Sequence, residues 1–180
     1  MEELLEKARQ GDGKAFEKIV NSIKHELYII AISRLSDSSL AEDVIQDTII
    51  SLYENIYKIR EPDKIKKWCI VVLINKCKKI KRKNKIKEIS YDEINCDRFL
   101  YSRDEYKELI DEVSFFQIID ELSEQDKLIT TLFYSSNQTT KEISKILNIN
   151  ESTIRSRISR IRNEIRRKIG DENDKRWRVR

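Results

Sequence analysis

The stretch Thr139–Arg167 reads TTKEISKILNINESTIRSRISRIRNEIRR. Thr139 and Glu142 match a capping box, in which a hydroxyl and a carboxylate each satisfy a backbone N–H left without a partner by the first helical turn. A helix is predicted from Thr140, with Ile143, Ile146 and Leu147 on one face. Asn148 stands where a chain leaving a helix needs a left-handed residue, a conformation Asn tolerates. Asn150 caps a second predicted helix, in which Ile154, Ile158, Ile161, Ile165 and Ile169 recur at helical spacing and form a stripe to be buried. At about 100° per residue the opposite face carries Ser152, Ser156, Ser159, Arg160, Asn163 and Arg167, with Arg155 and Arg166 toward one flank. Small hydroxyls let a backbone approach a duplex, and arginines fork onto guanine edges or phosphates. The pattern is a helix-turn-helix whose basic second helix suits a major groove. A solvated basic helix on any small bundle would show the same charges, but not two caps separated by a tight turn.

Around this segment the charges are unevenly placed. The 180 residues carry a net charge of +4, yet Lys64–Lys87 holds eleven Lys or Arg and no acid, while Glu88–Asp126 holds thirteen acids against three bases. Arg155–Lys168 returns to seven bases against one acid. Two basic blocks flanking an acidic middle suit a polyanion touched at two places, and nucleic acid is the partner this implies. Cys69, Cys77 and Cys96 form no CxxC pair, so neither a disulfide framework nor a zinc site is expected, and no cofactor is implied. The longest strongly apolar run, Cys69–Ile74, falls far short of the roughly 20 residues that span a bilayer. With an acidic rather than signal-like N-terminus, the expectation is a cytoplasmic protein without direct membrane insertion.

One Pro and three Gly, with 38% charged residues, predict an all-α chain. A helix near Glu2–Gln10 breaks at Gly11 and Gly13, and a second carries the stripe Phe16, Ile19, Val20, Ile23, Leu27, Ile30 and Ala31 to about Leu35. Ser39 and Glu42 read as a capping box opening a helix to about Tyr57, with Val44, Ile45, Ile49, Leu52 and Ile56 inward. Pro62 suits the first turn of a long helix ending near Lys83. Ser123 and Asp126 start a further helix that supports the helix-turn-helix through Leu128, Ile129, Leu132 and Phe133. The organisation is two small helical domains, residues 1–85 and 114–170, joined by a flexible acidic linker over 86–113, with a tail over 171–180. Fully extended, that linker reaches about 90 Å.

Taken together, DVIQDTIISLYENI (Asp43–Ile56), KKWCIVVLINKCKKIKRK (Lys66–Lys83), LSEQDKLITTLFY (Leu122–Tyr134) and the helix-turn-helix resemble the extracytoplasmic-function group of bacterial sigma factors, over nearly the whole chain. The resemblance implies that the first segment docks on the clamp of core RNA polymerase, the second reads and melts the minus-ten element, and the third reads the minus-thirty-five element. It implies core RNA polymerase and promoter DNA as partners, and an anti-sigma factor that masks polymerase-facing surfaces. The chain departs from the family's pattern in having Asn148 where a Gly is frequent, and mostly Lys rather than Arg after the melting helix.

Each patch has its own chemistry. Asp43, Gln46 and Asp47 share a polar face that can meet basic and amide groups of a partner helix. Nothing near them completes a coordination shell, so no metal is assigned. Trp68 and Asn75 lie two turns apart on one helix among Lys66, Lys67, Lys76 and Lys79. Lysines hold displaced phosphates and an amide can bond an exposed base edge; Trp68 fits core packing better than stacking, and Asn75 is the polar contact. On the reader helix Ser152, Thr153, Arg155, Ser156, Ser159 and Arg160 are the candidate minus-thirty-five contacts, while Arg157 and Arg162 border the buried stripe and suit phosphate or an intramolecular acid. No bond chemistry is implied. The alternative reading is a stand-alone helix-turn-helix regulator on operator DNA, and a third is a helical adaptor holding RNA or an acidic protein.

Overall fold

The computed structural model describes residues 1–88 and 122–169, and among these every regular element is helical. Helix α1 (Glu2–Arg9) buries Leu5 and Ala8 and is followed by Gly11, whose φ of 91° would strain any side chain. Asp12 caps α2 (Gly13–Leu35) by accepting from the N–H groups of Lys14 and Ala15 at 2.9 and 3.1 Å. Ser36 in the left-handed region ends α2, and Asp37 caps α3 (Ser38–Asn55) by accepting from the Leu40 N–H at 2.9 Å. The cap expected at Ser39 is therefore displaced by two residues. Among the polar side chains of SDSS, the ionised carboxylate is the strongest acceptor and takes the position. A 3-10 turn (Ile56–Lys58) precedes α4 (Asp63–Glu88), which starts just after Pro62 and runs past both the expected end at Lys83 and the expected domain boundary at residue 85.

These four helices enclose Ile19, Leu27, Ile30, Leu52, Ile70, Leu73 and Ile74, all almost wholly buried. Thr48 sits among them with its hydroxyl donating to the Val44 carbonyl at 2.7 Å, so that hydroxyl is not stranded. Cys69 and Cys77 occupy the same layer. Burial pushes their thiols up to about 12 and about 11, leaving them as small apolar side chains rather than nucleophiles.

In the second unit the Ser123 hydroxyl accepts from the Asp126 N–H at 3.2 Å and caps α5 (Glu124–Thr130). This helix runs on as a π-helical turn (Thr131–Ser135), then α6 (Thr140–Leu147) and α7 (Glu151–Ile169) follow. Ile129, Leu132, Ile143 and Ile154 fill its centre. The units also touch one another. From Leu27 to Arg34 every residue of α2 except Tyr28 is buried, which packing on one side cannot achieve; α5 and the π turn close over α2 in addition to α3 and α4. Arg34 reaches the Glu124 carboxylate at 3.5 Å, and Lys81 of α4 pairs with that same carboxylate. Most of the expected linker and all of the expected tail lie outside the described residues.

Ile143→Ala is expected to lower stability by about 2–5 kcal/mol, because the site is fully buried between packed helices. Ile50→Ala, at a side chain 56% exposed, should stay within about 0.5 kcal/mol. Urea midpoints of the two variants check both.

Candidate nucleic-acid interface and docking face

The helix-turn-helix is held by the devices its sequence announces. The Thr139 N–H donates to the Glu142 carboxylate at 2.9 Å while the Glu142 N–H donates to the Thr139 hydroxyl at 3.2 Å. Those Thr139 bonds hold the Glu142 carboxyl below its usual value, backbone N–H first, with the charges of Lys67 and Lys66 adding to the effect. Asn148 turns the chain at φ 54°, and Asn150 caps α7 by accepting from the Ser152 N–H at 3.0 Å. A bond from the Thr140 hydroxyl to Glu151 at 2.8 Å ties the starts of α6 and α7 together.

With Ile154, Ile158 and Ile161 buried, α7 presents Ser152, Arg155, Ser156, Ser159 and Arg160 to solvent and keeps Thr153 half-buried. Ser156, Ser159, Arg160, Asn163 and Arg167 line a shallow open groove along it. The side chains of Ile165, Arg166 and Ile169 lie outside the described residues. Several of the arginines already have partners. Arg155 donates to Glu151 at 2.7 Å, and the Arg162 Nε donates to the Tyr134 hydroxyl at 3.4 Å. Arg157 and Arg160 converge on Asp126 of α5, one on each carboxylate oxygen, at 2.8 and 2.7 Å. Asp126 appeared in the sequence only as the start of a helix. Its second role needs two arginines three residues apart on another helix, which no local pattern reveals.

On α4, Asn75 and Lys79 are exposed, while Lys66, Lys67, Trp68 and Lys76 are half-buried. Trp68 packs against the core, as the reading of its neighbours predicts. Lys66 pairs with Glu26 at 2.5 Å, and the Lys76 ammonium stands 3.8 Å from Asp47 of α3. Lys66 and Lys67 lie near the start of the helix, where their charges act on Glu142 of α6, and Asn75, Lys76 and Lys79 two turns or more along it.

Asp43, Gln46 and Asp47 are all exposed on α3. The same face continues, at helical spacing, into Ile50, Tyr53 and Tyr57, which are 56%, 61% and 62% exposed. Phe16 of α2 buttresses Tyr53 edge-on, with ring centroids 5.3 Å apart. These three side chains went unassigned in the sequence, although the run 43-46-47-50-53-57 was visible there. Together they leave large apolar groups in water along an acidic stripe.

Comparisons with known proteins agree with this layout. Sigma-70 region 2 matches residues 19–86, and Sigma-70, region 4 matches residues 113–165. The chain is 26% identical over 182 residues to the ECF RNA polymerase sigma-E factor of Escherichia coli (strain K12), covering 92% of each. To the RNA polymerase sigma factor SigV of Bacillus subtilis (strain 168) it is 26% identical over 137 residues, covering 76% of this chain and 80% of that one. Among solved structures, the sigma factor RpoE, determined with the anti-sigma factor NepR from Bartonella quintana, superposes with a TM-score of 0.73 at 24% identity, over 87% of this chain and 99% of that one. CnrH, determined with the cytosolic domain of CnrY, gives 0.63 at 18% identity, over 90% and 92%. Both share the fold. A helix with an exposed acidic face, a basic helix and a helix-turn-helix in this order define a two-part helical DNA-binding factor. The chain belongs to the sigma-70 family, in its extracytoplasmic-function group.

Asp126 makes the second unit acid-sensitive. Burial pushes its carboxyl up, but the bonds from Arg157 and Ser123 and the charges of Arg157 and Arg160 outweigh that and hold it below the ordinary 3.8. Its stabilisation is therefore complete above the unfolded value and is lost as pH falls through the lowered folded one. Asp126→Asn should unfold at a lower temperature than the parent at neutral pH, with the gap narrowing as pH drops below about 4. Melting temperatures measured from pH 7 to pH 3 test this.

Proposed function

We propose that the chain binds core RNA polymerase, directs initiation at promoters carrying minus-ten and minus-thirty-five elements, and helps open the upstream edge of the bubble. What supports this best is the order of three surfaces on one chain: the acidic and aromatic face of α3, the basic α4, and the exposed polar face of α7. Asp43, Gln46, Asp47, Ile50, Tyr53 and Tyr57 dock on the polymerase clamp. Lys66, Lys67, Asn75, Lys76 and Lys79 hold the minus-ten region and its separated strand, and Trp68 supports them from the core. Ser152, Thr153, Arg155, Ser156, Ser159 and Arg160 read the minus-thirty-five element. The chain does no bond chemistry, works in the cytoplasm with the polymerase, and is held in check by an anti-sigma partner that covers the α3 face.

Free and bound forms differ in shape under this reading. Two elements about 25 base pairs apart lie roughly 85 Å apart along B-DNA, at about 3.4 Å per pair. A folded chain of 180 residues has a radius of gyration of about 16 Å, so α5 must leave α2 for both surfaces to engage at once. Polymerase holds the units apart, and the tether turns the second DNA contact into an intramolecular one.

The direct test mixes the chain with bacterial core RNA polymerase on fragmented host DNA and sequences transcript 5′ ends against a core-only control. Discrete new starts sharing two upstream elements are expected; their absence with active core and folded chain would favour an operator-binding regulator. Arg160→Ala should lose about 1–3 kcal/mol of discrimination within the minus-thirty-five element while polymerase affinity is unchanged, read by ranking promoter variants and by a pull-down. Tyr53→Ala and Ile50→Ala together should weaken polymerase binding by about 2 kcal/mol or more, measured by competition against the parent chain for limiting core.

A further inference from the structure

We propose that Asp126 is a positioning residue that aims Arg160 at a single base pair of the minus-thirty-five element and withdraws its charge, and that of Arg157, from non-specific attraction to phosphates. The inference rests on the sigma reading above and adds a residue that lies on α5, away from the reader helix itself.

The geometry that carries it is asymmetric. Asp126 is only 7% exposed, and its carboxylate is filled: Oδ1 accepts from Arg157 Nη1 at 2.8 Å, and Oδ2 from Arg160 Nη2 at 2.7 Å and from the Ser123 hydroxyl at 2.8 Å. The two arginines are placed differently. Arg157 is 30% exposed and lies against the unit, whereas Arg160 is 64% exposed and lines the open groove with Ser156, Ser159, Asn163 and Arg167. A guanidinium has five N–H donors in a rigid fork, so one bound Nη2 leaves the rest of the fork free and fixes the direction in which it faces. An arginine without such a tether samples many rotamers and settles on whichever phosphate it meets. The shared carboxylate also reduces two positive charges to one net charge at the centre of the α7 face. Asp126 thus trades sequence-independent affinity for selectivity.

The experiment uses holoenzyme, full chain with core polymerase, on promoters substituted one base at a time through the minus-thirty-five element, with Asp126→Asn, Arg160→Ala and the double variant. Asp126→Asn is expected to lose about fivefold or more in discrimination at one base pair, the same one that Arg160→Ala affects, and to add nothing in the Arg160→Ala background. Binding of the full chain to a scrambled duplex should become steeper in salt by about 0.9 in log–log slope, as one more phosphate contact requires. A loss spread evenly over all positions and additive with Arg160→Ala marks a merely structural role and overturns the proposal. Tighter promoter binding with unchanged discrimination overturns it too, since Asp126 would then only restrain Arg160. If Asp126→Asn does not fold, Asp126→Glu, which keeps the charge and shifts the carboxylate by one methylene, must show the same single-position loss. Promoter-specific starts from the parent chain with unchanged ranking in the variants remove Asp126 alone; no specific starts from the parent chain removes the sigma reading and this inference with it.

Discussion

The burial of Ile154, Ile158 and Ile161 sets the roll of α7 about its own axis, and every proposed contact with the minus-thirty-five element depends on that roll. A shift of one residue in register turns the helix by about 100° and would carry Arg160 from the groove to its edge. Three β-branched side chains with few rotamers, packed against α5 and α6, make such slippage costly. The caps complete the constraint from outside the core. Asn148 and Asn150 set the angle at which α7 leaves the turn, and the Thr140–Glu151 bond closes the remaining freedom between the two helix starts.

The chain keeps a substantial share of its basic groups occupied by its own acids. Lys66 meets Glu26, Lys76 faces Asp47, Arg155 meets Glu151, and Arg34 and Lys81 share Glu124. All of these except Lys66–Glu26 have a solvent-exposed member and are worth about 0–1 kcal/mol each, so a DNA phosphate can replace the acid there at little cost. Asp126 differs in kind. Its carboxylate is shielded from water and bonded by three side chains, so it holds Arg157 against the unit and anchors one end of the exposed Arg160 guanidinium.

Much of the architecture was legible because it is written in local chemistry. A capping box at Thr139 and Glu142, a left-handed Asn148 and isoleucines at helical spacing each state their structure within a few residues, and the structure reproduces the first two and the burial of Ile154, Ile158 and Ile161. The misplaced cap at Ser39 has a local cause as well: SDSS offers several acceptors, and composition alone does not rank them. Ile29 and Ile32 escaped notice because they fall off the first stripe of α2, and a second stripe is needed only if something packs on the other side. Ile50, Tyr53 and Tyr57 fall off the inward face read for α3, and local pattern gave them no role because apolar side chains on a protein surface are ordinary when taken singly.

The sequence by itself determined the helical elements, the reader helix with its inward and outward faces, and the charge blocks that imply a polyanion, because periodicity and capping act over one or two turns. Tertiary structure alone decided that α5 closes over α2 and that Arg157 and Arg160 meet on one aspartate. Those facts depend on which faces of distant helices are brought together. Residues 31 and 34 positions apart become hydrogen-bonded neighbours only once the core between them has formed.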